Sequence, residues 1–325
     1  MNPLEQAWQL REQQGLFRST QALRVFHGPA EGYAHLKNLA IDRFGDHYWV
    51  TQWEKTSASN SKPLDAWTLA ENEIISFLQS KEAQCIVASL RPTHGGPKEP
   101  QLWSGTPPQN RFLVQEGTLK FWIQFQNSRH PGLFLDHAPL RQWLLHSCAG
   151  LRVLNTFSYT ASLSVAAAAG KASQVTSLDL SQPSLDWGME NFQANQIPLT
   201  PHSFLAGDVF EWFPRFKKQG RTFDCIILDP PSFSHGKKKT FSTAKDLEVL
   251  HGLAMEVLAP QGLLITSINS ANIAVKKFEA DILAAARKAR RTFNVLRELD
   301  LPESFPTPFG QVSDRYLKGW ILRSL

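Results

Sequence analysis

The stretch from Leu151 to Asp179 constrains the fold of this chain more than any other part of the sequence. It begins with the apolar run Leu151–Leu154, which has the length of a buried strand. It continues through a polar loop into an alanine-rich helical segment that stops at Gly170. A second apolar run, Val175–Leu178, ends on the acidic residue Asp179. This order predicts a strand, loop, helix and strand of a parallel sheet, with a carboxylate at the tip of the second strand.

A carboxylate at such a strand tip is typical of proteins that bind the ribose hydroxyls of an adenosine cofactor. Other parallel α/β proteins also carry an acid there, so this unit alone leaves both interpretations open. The loop Asn155–Ala161 contains no glycine, whereas dinucleotide-binding folds need Gly-x-Gly-x-x-Gly. Its hydroxyls and amides suit the amino-acid tail of S-adenosylmethionine better than two phosphates, which favours that cofactor over NAD.

A second motif follows the apolar run 224–228, which predicts another buried strand. The run leads directly into Asp229 and two prolines, which make the strand exit rigid and keep the Pro230 carbonyl out of the sheet ladder. A carboxylate, a fixed carbonyl and the ring of Phe233 are the parts needed to hold a flat base beside a methyl donor. A plain strand ending in a rigid turn is the alternative interpretation. The motif's place downstream of Asp179, at the expected fourth strand, favours the base pocket.

Four segments carry a family resemblance: NTFSYTAS, SLDLSQPSLDWGMENFQAN, GDVFEWF and LDPPSFSHGKKK. Together they resemble the bacterial large-subunit (23S) ribosomal RNA methyltransferase family, whose members form 5-methylcytosine or 7-methylguanine. The resemblance extends from about residue 20 to the segment Tyr316–Trp320. It implies a Rossmann-like, class I methyltransferase fold of α/β type, with a seven-stranded, mostly parallel, doubly wound sheet and a small N-terminal α+β domain.

The resemblance also implies which residues contact S-adenosylmethionine. In the family, the segment that matches 134–136 folds over the cofactor, a downstream arginine helps to position it, and the acid that matches Asp208 approaches the adenine amino group. Asp136 serves equally well as the cap of the following helix. The predicted cofactor-binding residues are Phe134, Asp136, Arg141, Asn155, Phe157, Ser158, Tyr159, Thr160, Asp179, Leu180, Ser181, Asp208, Val209 and Asp229.

The segment before Phe134 also contains a histidine, His130, at a position where a substrate contact is conceivable. An exposed loop histidine is the interpretation that we favour there.

The acceptor atom is where the sequence departs from part of the family. A pyrimidine C5 needs a cysteine thiolate that adds at C6, and the cytosine-C5 members keep this cysteine in Ser-Cys-Ser after the fifth strand. This chain has Asn269 at that place, as the guanine-N7 members do. Cys225 lies four residues before Asp229, about 13 Å from the strand tip at about 3.3 Å per residue, and is predicted to be a core residue. Cys148 lies ahead of the first strand.

The sequence therefore predicts direct, cysteine-independent methyl transfer to a nitrogen, of the guanine N7 type. The predicted catalytic residues are Asp229, Pro230, Phe233 and Asn269. Ala161 is a second departure, because the family usually has glycine at this position. If the backbone there requires a positive φ, alanine is strained by about 1 kcal/mol or more.

The charge of the chain fits a polyanionic partner. Lys and Arg number 34 against 29 Asp and Glu, which gives a net charge of +5. We expect RNA, ribosomal RNA in particular, to contact lysines near the proposed pocket. These are Lys237, Lys238, Lys239, Lys276 and Lys277. Three cysteines without metal-ligand spacing predict reduced thiols and no metal site. With no signal peptide and no apolar run near ~20 residues, we expect a cytoplasmic protein without a membrane segment. The oligomeric state stays open, a homodimer being one option.

The chain divides into two predicted domains. The first is a small α+β domain over 1–125, predicted to bind RNA or substrate, and the second is the S-adenosylmethionine-dependent methyltransferase catalytic domain over 126–325. Many relatives carry an additional N-terminal RNA-binding (PUA) barrel, and we expect this chain to lack it. The stretch 91–110 is rich in glycine and proline, which predicts turns, and 57–62 is predicted to be a polar loop. Ser181 is predicted to cap a helix over 182–195, and the runs 293–299 and 316–322 are predicted to pair as an antiparallel edge of the sheet. Three hypotheses follow: a methyltransferase of an RNA base, a methyltransferase of a non-RNA substrate such as protein, and a catalytically weak RNA-binding relative.

Overall fold

The computed structural model of the chain describes residues 2–33, 35–54, 67–92, 99–235, 240–270, 273–307 and 317–325. Their contacts divide the chain into two compact units. The first comprises Met1–Leu135 and Pro302–Pro308, and the second comprises Asp136–Leu301 and Phe309–Leu325. The sequence-based division at 125/126 assigned the segments 126–135 and 302–308 to the second domain. The separate roles that it gave to the two domains stay a prediction.

The described residues of the first unit form a five-stranded sheet, a separate hairpin and three helices. The sheet has the order β1-β2-β3-β4-β5 and is antiparallel except for the pair β3 and β4. The helices are α1 (Pro3–Gln13), α2 (Leu16–Ser19) and α3 (Trp67–Ser80). The strands are β1 (Ala22–His27), β2 (Leu39–Phe44), β3 (His47–Trp53), β4 (Cys85–Arg91) and β5 (Gln101–Gly105), and the hairpin is β6 (Phe112–Glu116) and β7 (Leu119–Ile123).

Strand β5 was not predicted, because the glycines and prolines around it indicated turns only. It has little apolar signal of its own, since its residues are exposed or half-buried at the sheet edge. Pairing with β4 makes it a strand, and this is a contact that local sequence does not encode. The predicted polar loop at 57–62 lies outside the described residues.

The second unit is built on a seven-stranded sheet of order β10-β9-β8-β11-β14-β16-β15. Five strands, from β10 to β14 in this order, are parallel, and the last two are antiparallel. These strands are β8 (Arg152–Thr156), β9 (Gln174–Asp179), β10 (Ser203–Ala206), β11 (Phe223–Leu228), β14 (Leu258–Asn269), β15 (Phe293–Glu298) and β16 (Leu317–Ser324). A small hairpin, β12 (Phe233–His235) and β13 (Thr240–Ser242), follows β11.

Helices join the parallel strands, as crossover connections require. The helices of the second unit are α4 (Ala138–Ser147), α5 (Ser162–Ala169), α6 (Gln182–Ala194), α7 (Val209–Lys218), α8 (Thr243–Val257) and α9 (Val275–Ala289), and a 3₁₀ turn at Leu135–His137 precedes α4. The predicted Rossmann-like α/β fold is confirmed, including the antiparallel pair at the end of the sheet. Among the described residues, no helix is both long and apolar enough to cross a bilayer.

Each unit has its own hydrophobic core. In the first, Leu23, Ile41 and Ile86 pack with α1 and α3 residues. In the second, Leu154, Ile226 and other strand residues pack under α7, α8 and α9. Burial of such side chains stabilises a fold by about 1.5–3 kcal/mol each, before chain entropy is subtracted.

Candidate active site

Strand register places the ends of four neighbouring strands side by side. Leu178, Thr156, Leu228 and Thr266 are aligned in the sheet. Phe157 and Asp229 therefore leave β8 and β11 at the same edge, where Asp179 ends β9, while β14 continues along β16 to Asn269. Strands β8 and β11 flank the point where strand order reverses. In open α/β sheets, ligands bind outside the carboxyl ends of the strands at this switch point.

Asp179 stands at the tip of β9, as predicted, and binds the loop after β8. Its Oδ2 accepts a hydrogen bond from the Tyr159 amide at 2.8 Å, and its Oδ1 accepts one from the Ser181 amide at 2.9 Å. Burial raises the pKa of Asp179, and the surrounding backbone N–H groups oppose this rise. A carboxylate has about four acceptor positions, so each oxygen can accept a further bond, for example from a ribose hydroxyl.

The loop after β8 has a left-handed backbone at Phe157, Tyr159 and Ala161, with φ values of 52°, 48° and 58°. The condition under which Ala161 is strained, a positive φ, is therefore met. Ala161 is fully buried, and a Cβ added at Gly188 of α6 would lie 2.8 Å from its methyl group. The strained alanine and the helix glycine thus fit together as a pair.

The same loop fits the polar end of S-adenosylmethionine. The Ser158 hydroxyl oxygen is buried and has no hydrogen-bond partner among the described residues. Helix α5 begins beside it, and no side chain caps its first amides. Free helix N-terminal amides favour an anion such as an amino-acid carboxylate. The donors and acceptors that a zwitterionic tail needs are therefore present.

Two predicted cofactor residues of this loop lie inside the protein. The Asn155 amide donates to Ser164 Oγ at 2.9 Å, and the Ser177 hydroxyl donates to the same oxygen at 2.8 Å. Thr160 is buried, and its carbonyl accepts from the Asn191 amide nitrogen at 2.9 Å. These contacts hold the start of α5 and the loop in place.

The remaining predicted contacts of this edge lie at two helix starts. Ser181 caps α6, as predicted, and Leu180 beside it is exposed. Asp208 caps α7 through a 2.9 Å bond from the Phe210 amide to its Oδ1. Val209 is buried in the core of the unit. That these residues contact the adenine and ribose of the cofactor stays a prediction.

Asp229 follows β11 and is held from two sides. Its Oδ2 lies 3.0 Å from His137 Nε2, and its Oδ1 accepts the Ser267 hydroxyl at 2.6 Å. Burial disfavours the charged carboxylate, but His137 and Ser267 outweigh burial and lower the pKa of Asp229. Burial likewise disfavours the imidazolium, and Asp229 more than compensates, so the pKa of His137 is raised. The two side chains form an ion pair in which His137 is buried and Asp229 is partly exposed.

The other three predicted catalytic residues lie after Asp229 in the sequence. Pro230 is buried, and Asn269 is exposed at the end of β14. Strand side chains alternate, so Asn269 and Ser267 lie on the same face of the sheet, about 7 Å apart along the strand. The backbone of Phe233 begins β12, and its side chain lies outside the described residues.

The segment before α4 differs in part from the prediction. His137, rather than Asp136, is the N-cap residue of α4, and Asp136 lies one residue earlier in the 3₁₀ turn. The interpretation of Asp136 as the helix cap was therefore wrong. Arg141 is fully buried in α4, and its charge acts to lower the pKa of His137. Phe134 belongs to the first unit, where it is 41% exposed.

His130 is half-buried rather than an exposed loop residue. The Arg91 guanidinium lies 3.2–3.3 Å from both of its ring nitrogens. Burial, helped by the Arg91 charge, lowers the pKa of His130 to about 4. The interpretation as an exposed histidine was therefore wrong.

The predicted RNA-contacting lysines are described only in part. Lys276 and Lys277 are exposed in the first turn of α9, and Lys277 forms an ion pair with Asp281. Lys237, Lys238 and Lys239 lie outside the described residues.

The three cysteines are free thiols, as predicted, and all are buried. Burial raises the pKa of Cys85 to about 11, that of Cys148 to about 12, and that of Cys225 well above its usual range. Thiols of this kind are poor nucleophiles, because the thiolate is the reactive form.

Two residues of this site, His137 and Ser267, were not predicted from the sequence. Ser267 directly follows Thr266, and the pairing of Thr266 with Leu228 brings it to Asp229. Aligning the ends of the predicted strands could have found it. His137 contacts Asp229 across 92 residues of sequence, and its place after Asp136 gave no local signal for this contact.

A sheet of this order, with an acid after β9, a constrained loop after β8 and an Asp-Pro-Pro motif after β11, defines a class I methyltransferase. The comparisons with known proteins agree. The profile described as "S-adenosylmethionine-dependent methyltransferase" matches residues 23–313. The chain belongs to this family, and S-adenosylmethionine is its cofactor.

Several relatives are named as methyltransferases of the large-subunit ribosomal RNA. A Bacillus subtilis protein with the provisional name ribosomal RNA large subunit methyltransferase YwbD is 31% identical over 99% of this chain and 80% of its own. Ribosomal RNA large subunit methyltransferase K of Neisseria meningitidis is 31% identical over 82% of this chain and 73% of its own. Methyltransferase I of Erwinia tasmaniensis is 28% identical over 98% and 79%.

Solved structures share the architecture. A protein provisionally described as a methyltransferase, crystallised with S-adenosylhomocysteine, superimposes with a TM-score of 0.87. It is 28% identical, and the match covers 99% of this chain and 80% of that one. A methyltransferase from Agrobacterium tumefaciens, 20% identical with a TM-score of 0.65, shares the fold.

Proposed function

We propose that this chain methylates a nitrogen of a base in ribosomal RNA, of the guanine N7 type, without a covalent cysteine intermediate. The observation that carries the proposal is the edge formed by Asp229, Ser267 and Asn269. There the ionised carboxylate of Asp229, held by Ser267, follows β11. Asn269, at the position of the family's cysteine, ends the neighbouring strand β14. The names of the relatives support ribosomal RNA as the substrate.

The residues of the site suit direct attack by a lone pair. When bound, S-adenosylmethionine supplies a sulfonium methyl group, and the base nitrogen forms the new N–C bond while the C–S electron pair goes to sulfur. Asp229 accepts hydrogen bonds from N–H groups of the base edge and stabilises the positive charge that the base acquires. The Pro230 carbonyl and the Asn269 amide orient the base. Positioning of this kind supplies about 7–11 kcal/mol of barrier reduction in well-oriented reactions.

Buried thiols support the cysteine-independent route. Cys225 and Cys148 are fully buried, with the pKa of each raised by burial. Neither therefore supplies the exposed thiolate that addition at C6 of a pyrimidine requires.

The test uses the whole chain with ribosomal RNA from a strain that lacks the gene, and mass spectrometry of the nucleosides. We expect a methylated purine nitrogen in the wild-type reaction and none with Asp229→Asn, while both proteins bind S-adenosylhomocysteine within a few-fold of each other. Parallel labelling of total protein tests the alternative substrate class. A covalent adduct with 5-fluorocytosine-containing RNA, or label in protein but not in RNA, would contradict the proposal.

A further inference from the structure

His137 stands at a helix terminus without making the hydrogen bond that side chains at such a position usually make. It is the N-cap residue of α4, yet its side chain makes no cap hydrogen bond. Ser, Thr, Asp and Asn are favoured there because their oxygens accept from the first helical amides. A cation is also unfavourable near a helix N-terminus, since the helix dipole is positive at that end. The side chain instead contacts Asp229, 92 residues away in sequence.

The contacts of Asp229 fix both of its oxygens. His137 Nε2 lies 3.0 Å from Oδ2, and Ser267 Oγ donates to Oδ1 at 2.6 Å. The two partners come from different elements, the N-cap of α4 and strand β14. A carboxylate bound at both oxygens cannot rotate without losing one bond. Each oxygen keeps acceptor capacity, and the Asp229 side chain is 25% exposed.

We infer that His137 is a positioning residue for the methyl transfer: together with Ser267 it locks the Asp229 carboxylate in the orientation that receives the acceptor base. This inference rests on the proposed function, because it assigns a role toward the same base. His137 touches neither base nor cofactor in this role and acts through Asp229.

The surroundings of His137 support a charged partner for Asp229. The charged groups that face it are Asp229 after β11, Asp136 in the preceding turn and Arg141 in α4. Burial disfavours the charged imidazolium, and Arg141 adds to this effect, but Asp229 and Asp136 together outweigh both and raise the pKa of His137. The ion pair keeps Asp229 ionised inside the protein, so that it stays an acceptor for N–H groups of the base.

The pairing is tested without any activity measurement. The histidine side chains of the full chain, 10 in number, are titrated by nuclear magnetic resonance, and His137→Gln identifies the His137 signal by its loss. We expect the His137 signal to titrate above the ordinary histidine range in the wild type and clearly lower in Asp229→Asn. An unchanged titration in Asp229→Asn would overturn the pairing.

The role is tested by kinetics with ribosomal RNA. Gln places an N–H donor near the position of His Nε2, so His137→Gln should keep kcat within a few-fold. His137→Ala and Ser267→Ala should each lower kcat by up to ~100-fold, the size of a misplacement effect, with KM for RNA and affinity for S-adenosylhomocysteine nearly unchanged. The double variant should lose little more than the worse single one, because the two residues act on one group.

Melting temperatures of the variants show whether a loss of activity comes from destabilisation of the fold. The conservative variant His137→Gln provides a second check, because it keeps the hydrogen-bond donor. Equal loss of kcat in His137→Gln and His137→Ala, or full kcat in His137→Ala, would overturn the inference. A wild-type protein without activity on RNA would overturn the proposed function and the role toward the base together. The titration would still decide the pairing in that case.

Discussion

At the residue scale, the active-site edge depends on carboxylates that serve two purposes. Asp179 accepts the amides of Tyr159 and Ser181 and keeps acceptor positions for a ligand. Asp229 accepts two side chains and keeps positions for a base. We therefore expect a substitution at either residue to remove both a proposed ligand contact and hydrogen bonds that hold the surrounding segments.

Asp179→Ala should weaken the binding of S-adenosylhomocysteine by a factor of 10 or more. A hydrogen bond to a charged group is worth about 1.5–3 kcal/mol, and the loop loses its anchor as well. Isothermal titration calorimetry measures the effect. Asp186→Ala, at an exposed acid of α6 that accepts from Gln182, is the matched control and should stay within two-fold of the wild type. Equal affinities of Asp179→Ala and wild type would place the cofactor elsewhere.

Gly188→Ala should disturb the loop after β8, and Ala161→Gly should correct the disturbance. The new methyl group would lie 2.8 Å from that of Ala161, and such overpacking costs about 1–3 kcal/mol. Ala161→Gly removes the clash together with the left-handed strain of about 1–2 kcal/mol. The double variant should therefore be more stable than Gly188→Ala alone. Urea unfolding of all four proteins gives the coupling energy, and additive effects would contradict the contact.

At the element scale, the end of β14 is held by its neighbour β16. Gly319 of β16 pairs with Ser267, and the buried Lys318 donates from Nζ to the Ser270 carbonyl at 2.8 Å. A Cβ at Gly319 would lie 2.4 Å from the Thr266 carbonyl oxygen and 3.0 Å from the Ser267 Cα. The close approach of the two strands therefore sets where Ser267 meets Asp229.

Gly319→Ala should destabilise the chain by about 1–3 kcal/mol and lower methyl transfer, because the strands must separate at Ser267. Gly252→Ala in α8 is the matched control. A Cβ at Gly252 has no atom within 4 Å, and alanine is favoured over glycine in a helix by about 0.5–1 kcal/mol. It should stabilise the chain and leave activity unchanged. Urea unfolding measures the stability of both variants, and methyl transfer to RNA measures their activity. A Gly319→Ala protein as stable as wild type would contradict the packing argument.

The elements of the second unit were predictable where a local pattern exists. Apolar runs of strand length found β8, β9 and β11, and the serine cap found the start of α6. Helix α7 and the β12–β13 hairpin were missed, as was β5, because their sequences carry turn residues or lack a continuous apolar run. The contacts of Asp229 with His137 and Ser267 depend on strand register and on distant parts of the chain. Such contacts leave no periodic signal in the sequence.

At the scale of the whole molecule, buried neutral histidines make stability depend on pH. Burial lowers the pKa of His251 to about 4, that of His130 to about 4 and that of His27 to about 3. His251 is fully buried between the Leu247 carbonyl, 2.6 Å from Nδ1, and the Thr266 hydroxyl, 2.8 Å from Nε2. Charging any of these rings in the folded state is unfavourable, because burial removes the hydration of the cation.

Acidification from about pH 6.5 toward pH 4 should therefore destabilise both units. The unfolded chain binds protons near pH 6.5 and the folded chain does not, so stability falls as pH falls, by up to about 1.4 kcal/mol per pH unit for each such histidine. His137 acts in the opposite direction: its raised pKa gives stability that is lost as pH rises above its folded value.

Calorimetric unfolding over this range is the measurement, and His251→Gln is the comparison. The variant should be less stable near neutral pH and should lose less on acidification. If the free energy of unfolding fell equally with pH in both proteins, His251 would not contribute to the loss of stability at acidic pH.

The path of the chain has a consequence for how this enzyme can be divided or recombined. The segment Pro302–Pro308, between β15 and β16, belongs to the first unit, where Arg11 donates to the Ser304 carbonyl at 3.0 Å and Arg24 lies over the Phe305 ring at 4.2 Å. The backbone thus passes from one unit to the other three times. A single cut cannot release either unit whole, so a fragment that starts at 136 carries a sequence whose partners are gone. Exchange of the first unit for that of another protein would need three matched joints, one at each of these passages.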